Sequence, residues 1–254
     1  LPIWTQDALR SETTSYSSDC WRLVEAQHIN STRKLVDSDD EQTRLEDLIE
    51  NTKQSVPDEC RELDYLLFTP FRYDSAYPAG SRFRRSGQSP GVFYASEWVE
   101  TAVSEIAFYR LLFFAESPDT EIPTVPFNFT AFSVGVADTN MIDLTSGLLV
   151  SDQADWFHLT DYSACQKLAD NVRAIGSKII RYQSVRDPKR GHNLAVLRCS
   201  AFTVSEPKAR QSWQFLINKD SVAARREFPS LRLEFPRKAF MRDPRLQSVN
   251  WANK

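Results

Sequence analysis

PFRYDSAYPAGSRFRRSGQSPGVFYASEWVETAVSE, residues 70–105, changes texture midway. It strings Arg72, Tyr73, Arg82, Phe83 and Tyr94 along turn-rich, strand-like sequence, and then carries Glu105 inside an amphipathic helical pattern. Further on, KIIRYQSVRDPKRGHNLAVL at 178–197 sets Ser184 just past a short apolar run. Arginine, tyrosine, glutamate and serine in this company, with no metal ligands beside them, suit chemistry on an anionic, aromatic substrate.

Outward from this stretch the same mixture continues. YLLF, GVFYA, FNFTAFSVGV, KIIRYQ, NLAVLRC, SWQFLI and LRLEF read as short strands, and 97–116 and 162–175 read as helices. Strands outnumber helices and do not alternate with them regularly. The expected class is therefore α+β, a mixed β core with flanking helices, over residues 65–254. Residues 1–64 read differently. Asp19 opens a pattern with Trp21, Val24 and His28 at helical spacing. Asp39 or Asp40 can cap a second helix with Leu45, Leu48 and Ile49 on one face, and Pro57 then breaks it. No strand signal stands out there, so 1–64 is expected to be a small helical appendage.

Composition narrows the function. With 31 basic and 34 acidic residues in 254, nothing global favours nucleic acid or an anionic membrane. No apolar run reaches the roughly 18 residues a spanning helix needs; the strongest, 106–115, is interrupted by Arg110. The opening LPIWTQDALR has no basic n-region or apolar h-region, and a cytoplasmic protein is expected. Cys20, Cys60, Cys165 and Cys199 are widely spaced and are expected to be buried reduced thiols; with only His28, His158 and His192 beside them, no zinc pattern forms. GxGxxG, GxxxxGK[ST] and GxSxG are all absent, which removes the common phosphate loops and the hydrolase elbow.

The remaining candidates form one constellation. Arg72, Arg82, Arg84 and Arg85 crowd a segment punctuated by Gly80 and Gly87, and a guanidinium fork can hold a pyrophosphate bidentately. A solvated basic loop is the competing reading, strongest for Arg84 and Arg85. Alternation puts Tyr94 on the face opposite Phe93, where its ring can stack on a planar ligand or simply join the core. Glu105 sits among Ala102, Val103, Ile106 and Phe108. A carboxylate there needs a partner, such as Arg110, or a cleft. In a cleft it can stabilise the oxocarbenium-like state of a breaking nicotinamide–ribose bond. Ser184 can hydrogen-bond a ribose, a phosphate or a carboxamide, or act as a plain turn serine. Nicotinamide dinucleotide fits this set.

In order, these pieces resemble the RES domain, named for its arginine, glutamate and serine. The resemblance runs through G-x-R-[FW] at 80–83, [VI]-x-Y-x-[AS] at 92–96, A-x-x-E at 102–105 and Y-x-S-x-R at 182–186, followed by Asn193 and an apolar strand. It covers residues 65 to 254. Shorter members carry a GGRWN-like turn where this chain has GSRFRR, which leaves the phosphate partner open among Arg72, Arg82 and Arg84. The resemblance implies an ADP-ribosyltransferase-like fold of the diphtheria-toxin type. It also implies a toxin of a toxin–antitoxin pair that consumes NAD+ as co-substrate without a metal, and an antitoxin that plugs the active site. Arg82, Arg72, Tyr73, Tyr94 and Ser184 would hold NAD+, and Glu105 would act on the ribose. The longer branch, which the helical segment and the PFRY…GSRF wording resemble, implies ADP-ribosyl transfer to a protein, with phosphoribosyl-pyrophosphate synthetase as precedent. Phosphorolysis or hydrolysis of NAD+ is the alternative, and a non-catalytic binding protein is the third reading.

Overall fold

The computed structural model describes residues 4–26, 35–73, 78, 80–87, 91–218, 220–247, 249 and 251. Its helices and strands run α1 (Gln6–Ser11), β1 (Thr13–Glu25), α2 (Asp39–Thr52), α3 (Tyr65–Arg72), β2 (Phe93–Ser96) and α4 (Val99–Glu116). They continue with β3 (Phe127–Asp143), α5 (Gln153–Trp156), α6 (Ser163–Ala174), β4 (Ile179–Gln183) and β5 (His192–Val196). The chain closes with β6 (Ala209–Ile217), β7 (Ser221–Arg226), β8 (Leu231–Pro236) and α7 (Pro244–Gln247). This is a mixed α+β fold, as expected.

One sheet organises it, in the order β1-β2-β5-β4-β3-β6-β7-β8. An additional β1–β3 pairing closes the first five strands into a ring, which leaves β6, β7 and β8 as an extension from β3. All pairs are antiparallel except β3–β4. Long β3 makes this possible by pairing with β6 through its first half and with β4 only at Ile142 and Asp143. Helix α4 touches β1, β2, β5, β7, β8 and α7. Accordingly it is buried around most of its circumference, including Ala102, Val103, Ala107, Phe108, Leu111 and Phe114. The sequence predicts an amphipathic helix here. The structure makes it a central one, because two arms of the same sheet pack on it.

Three of the expectations need correction. Residues 13–25 are not helical: β1 pairs with β3 from Thr13↔Ile142 to Glu25↔Phe129, so the first 64 residues supply a strand of the main sheet rather than an appendage. Cys20 and Leu23 are buried three residues apart, a spacing that imitates a helix, and sheet pairing overrides it. The proposed helical partner His28 lies outside the described residues. YLLF is not a strand but the first half of α3, where Asp64 accepts from the Leu66 amide as N-cap. A short apolar run fits either element by period alone. Finally, Cys60 and Cys199 are joined in a disulfide across 139 residues, while Cys20 and Cys165 are free and buried. Neither spacing nor local sequence reveals a pairing at that distance.

Helix α2 does form, but Ser38 caps it, in a reciprocal box with Glu41 rather than through Asp39 or Asp40. Leu48 on this helix is exposed. No helix among the described residues is long and apolar enough to cross a membrane.

Candidate active site

Residue Glu105 is the centre of the arrangement. It projects from the second turn of α4, and its Oε1 accepts from the Ser184 hydroxyl at 2.6 Å and from Asn193 Nδ2 at 2.6 Å. Asn193, on β5, is itself fixed because its Oδ1 accepts from Ser96 Oγ at 2.6 Å. Its amide is therefore oriented with nitrogen toward the carboxylate. Ser184 sits just past β4 and is almost completely buried. Its oxygen also accepts from the Arg186 and Asp187 amides, at 3.2 and 2.9 Å. With its proton given to Glu105, this hydroxyl has no capacity left for a ligand. The expectation that Ser184 binds ribose or amide is thus corrected: it positions Glu105 from behind. Oε2 of Glu105 has no partner among the described residues.

The turn from Ser184 to Gly191 is anchored on α4 from two points. Thr101 Oγ1 donates to Asp187 Oδ2 at 2.8 Å, and Ser104 Oγ donates to the Arg186 carbonyl at 2.9 Å. The helix that carries Glu105 therefore also holds the loop that orients it.

In front of Glu105 lies a cavity of about 530 Å³. Tyr94, Tyr109, Tyr162 and Tyr182 line it, together with Arg22, Arg82, Arg186 and Arg245. Burial pushes the Tyr94 and Tyr182 hydroxyls up, with neighbouring charge on Glu105 adding at Tyr182. These phenols are neutral donors at ordinary pH.

Tyr94 and Phe93 face opposite sides of the sheet, as alternation predicts: Phe93 packs with Phe132, and Tyr94 turns to the cavity. The Tyr94 hydroxyl pairs with Ser81 Oγ at 2.8 Å and accepts from the Phe83 amide at 3.0 Å. It thereby fixes the turn that carries Arg82. Gly80 begins that turn at φ +67°, where a Cβ would lie 2.2 Å from the Arg84 carbonyl oxygen, so only glycine fits.

The arginines separate sharply. Arg82 reaches the cavity wall, but its guanidinium donates to the Trp156 and His158 carbonyls and lies 4.9 Å from the centre of the Tyr162 ring. Much of it is committed to holding the 156–162 loop. Arg72 is drawn away from the site by an ion pair to Glu50 at 2.7 Å, and the neighbouring Tyr73 offers its carbonyl to Arg84. Neither Arg72 nor Tyr73 lines the cavity. Arg85 pairs with Asp170 at 2.9 Å on the surface.

Two arginines that sequence reasoning missed are among the residues lining the cavity. Arg22, on β1, donates from Nη1 to the Tyr94 carbonyl at 2.7 Å and lies 5.0 Å from the Phe93 ring centre. Its Nε is buried without a partner, and burial pulls its pKa down to about 10. No carboxylate pairs with it among the described residues. The clue was an arginine between Trp21 and Leu23, hidden by the helical reading of that segment. Arg245, from α7, left no signal in the sequence.

The RES domain family matches residues 56–218. This chain belongs to the RES-domain family. All four motifs of the resemblance fall within that match and surround the Glu105 cavity, whereas Arg22 precedes it and Arg245 follows it. Among solved structures, a chain in the crystal structure of the M. tuberculosis MbcT–MbcA toxin–antitoxin complex is similar, at 15% identity and a TM-score of 0.46, over 83% of this chain and 90% of that one. No curated protein matches.

Proposed function

We propose that this RES-domain chain is the toxin of a toxin–antitoxin pair, with an ADP-ribosyltransferase-like core that cleaves NAD+ at the nicotinamide–ribose bond and passes ADP-ribose to a protein acceptor. The observation that carries this reading is Glu105: one carboxylate oxygen is fixed by Ser184 and Asn193, and the other is unpartnered beside a tyrosine- and arginine-lined cavity. A carboxylate held this way, before the substrate arrives, suits stabilisation of positive charge developing on a ribose. It costs no reorganisation at the moment of bond breaking. Tyr94 offers a ring for the nicotinamide. Arg82, on the cavity wall, stands for the pyrophosphate, whereas Arg72 does not line the cavity.

A protein that covers the cavity belongs to the same reading. Tyr109 and Phe113 line it yet stay 50% and 48% exposed, an apolar margin suited to an antitoxin segment. The acceptor precedent, phosphoribosyl-pyrophosphate synthetase, comes from the resemblance alone.

The test uses the purified chain, freed of any partner, with NAD+ labelled in the adenylate, in the presence and absence of phosphate and cell lysate. Transfer predicts nicotinamide release with label on a protein band. Label confined to small molecules would replace transfer by hydrolysis, or by phosphorolysis if release requires phosphate. No nicotinamide release from folded protein would refute NAD+ chemistry.

A further inference from the structure

The last described segment of the chain builds part of the cavity. Asp243, 1% exposed, stands between two guanidinium groups. Arg186 Nη1 pairs with its Oδ2 at 2.9 Å. Arg245 grips both oxygens, Nε to Oδ1 at 3.0 Å and Nη2 to Oδ2 at 2.9 Å, and its own amide donates to Oδ1 at 3.0 Å. One carboxylate shared by two arginines leaves one positive charge in excess.

The two arginines are not equivalent. Arg186 is spent: Nη2 donates to the Leu159 carbonyl at 2.7 Å, and the Phe108 ring centre lies 3.9 Å away. Arg245 remains 25% exposed in its side chain, lines the cavity, and has no partner for Nη1 among the described residues. The fork is thus pre-aimed by Asp243 with one nitrogen to spare. A partly buried ion cluster with surplus charge contributes little to stability by itself, and an incoming anion would balance it.

We propose that Arg245, backed by Asp243 and Arg186, is a phosphoryl-binding subsite of the cavity, supplied by a segment outside the family match at 56–218. It rests on the NAD+ reading only for the identity of the ligand that brings the phosphoryl group. The free Nη1, on a guanidinium whose fork Asp243 already holds, is a charged donor that favours a phosphoryl oxygen over a neutral hydroxyl. The group comes either from the nucleotide itself or from inorganic phosphate.

Titration calorimetry on the intact chain separates these sources, using ADP-ribose, inorganic phosphate and the phosphate-free nicotinamide riboside. Arg245→Gln is expected to weaken the phosphoryl ligand by about tenfold or more, and Arg245→Lys by less, with nicotinamide riboside unchanged in both. If ADP-ribose displaces phosphate, the nucleotide's own phosphoryl occupies the subsite. If phosphate binds beside ADP-ribose and Arg245→Gln removes it, free phosphate does. ADP-ribose and phosphate affinities within about twofold of the parent in Arg245→Gln would overturn the subsite, as would an equal loss for nicotinamide riboside. Arg245→Lys keeps the pair with Asp243 and carries the test if the glutamine variant melts early. Phosphate bound through Arg245 without any ADP-ribose binding would leave the subsite standing and sink the NAD+ reading. ADP-ribose binding that ignores Arg245 would do the reverse.

Discussion

Glu105 and Ser184 divide one task, and substitution separates their shares. Glu105→Gln retains an Oε1 that accepts from both Ser184 and Asn193, so the fold loses nothing at this point. It removes the negative charge that faces the cavity. NAD+ turnover is expected to fall on the order of a hundredfold or more at an unchanged melting temperature. Ser184→Ala acts the other way. It strips a donor from Glu105 and leaves the buried Arg186 and Asp187 amides without their acceptor. Denaturant titration should register a loss of about 1–3 kcal/mol, and turnover should drop because the carboxylate is free to rotate. Full turnover in Glu105→Gln would remove the carboxylate from the mechanism. Unchanged stability in Ser184→Ala would mean that the two amides find water.

At the scale of elements, the site depends on how tightly α3 meets the start of β2. Gly91 has no room for a side chain: a Cβ would lie 1.7 Å from the Pro70 carbonyl oxygen, which is backbone and cannot swing aside. Gly91→Ala should therefore cost about 1–3 kcal/mol or more as the helix and strand are forced apart. Turnover should fall with it, because β2 carries Tyr94 and Ser96 three and five residues on. A stable, fully active variant would show that this junction yields. Legibility in the sequence follows the same division. Glu105, Tyr94 and Ser184 stand in ordered motifs whose spacing permits convergence but does not by itself demonstrate it. α3 is a short apolar run that fits either element, and β1 is a long, largely polar strand whose partner in the chain is remote. Trp21 and Val24 satisfy a helical spacing, and only the ladder with β3 settles them as strand. With β1 misassigned, Arg22 could not be seen as a cavity residue.

The molecule as a whole is held by contacts between distant parts of the chain. Arg22, before the family match, and Arg245, after it, both line the cavity. The Cys60–Cys199 bridge ties the segment before α3 to the end of β5 and encloses Arg82, Tyr94, Glu105, Ser184 and Asn193 within its loop. Its two cysteines belong to the core cluster of Phe71, Phe93 and Phe132, whereas Tyr94 turns to the opposite face of the sheet. The bridge should consequently govern how easily the chain unfolds rather than how the site is shaped. A loop of 139 residues gives a chain-entropy contribution of about 5 kcal/mol in principle, and native bridges commonly deliver about 2–4. Reduction, or Cys60→Ser, is expected to lower the unfolding free energy by that amount, and the denaturant midpoint with it, while the folded protein keeps its turnover at 25 °C. Paired unfolding curves with and without reductant, alongside a turnover assay on each, measure both quantities. A midpoint indifferent to reductant would mean that the bridge constrains nothing the sheet does not already hold. Loss of turnover in protein that is still folded would instead couple the disulfide to Tyr94 through β2.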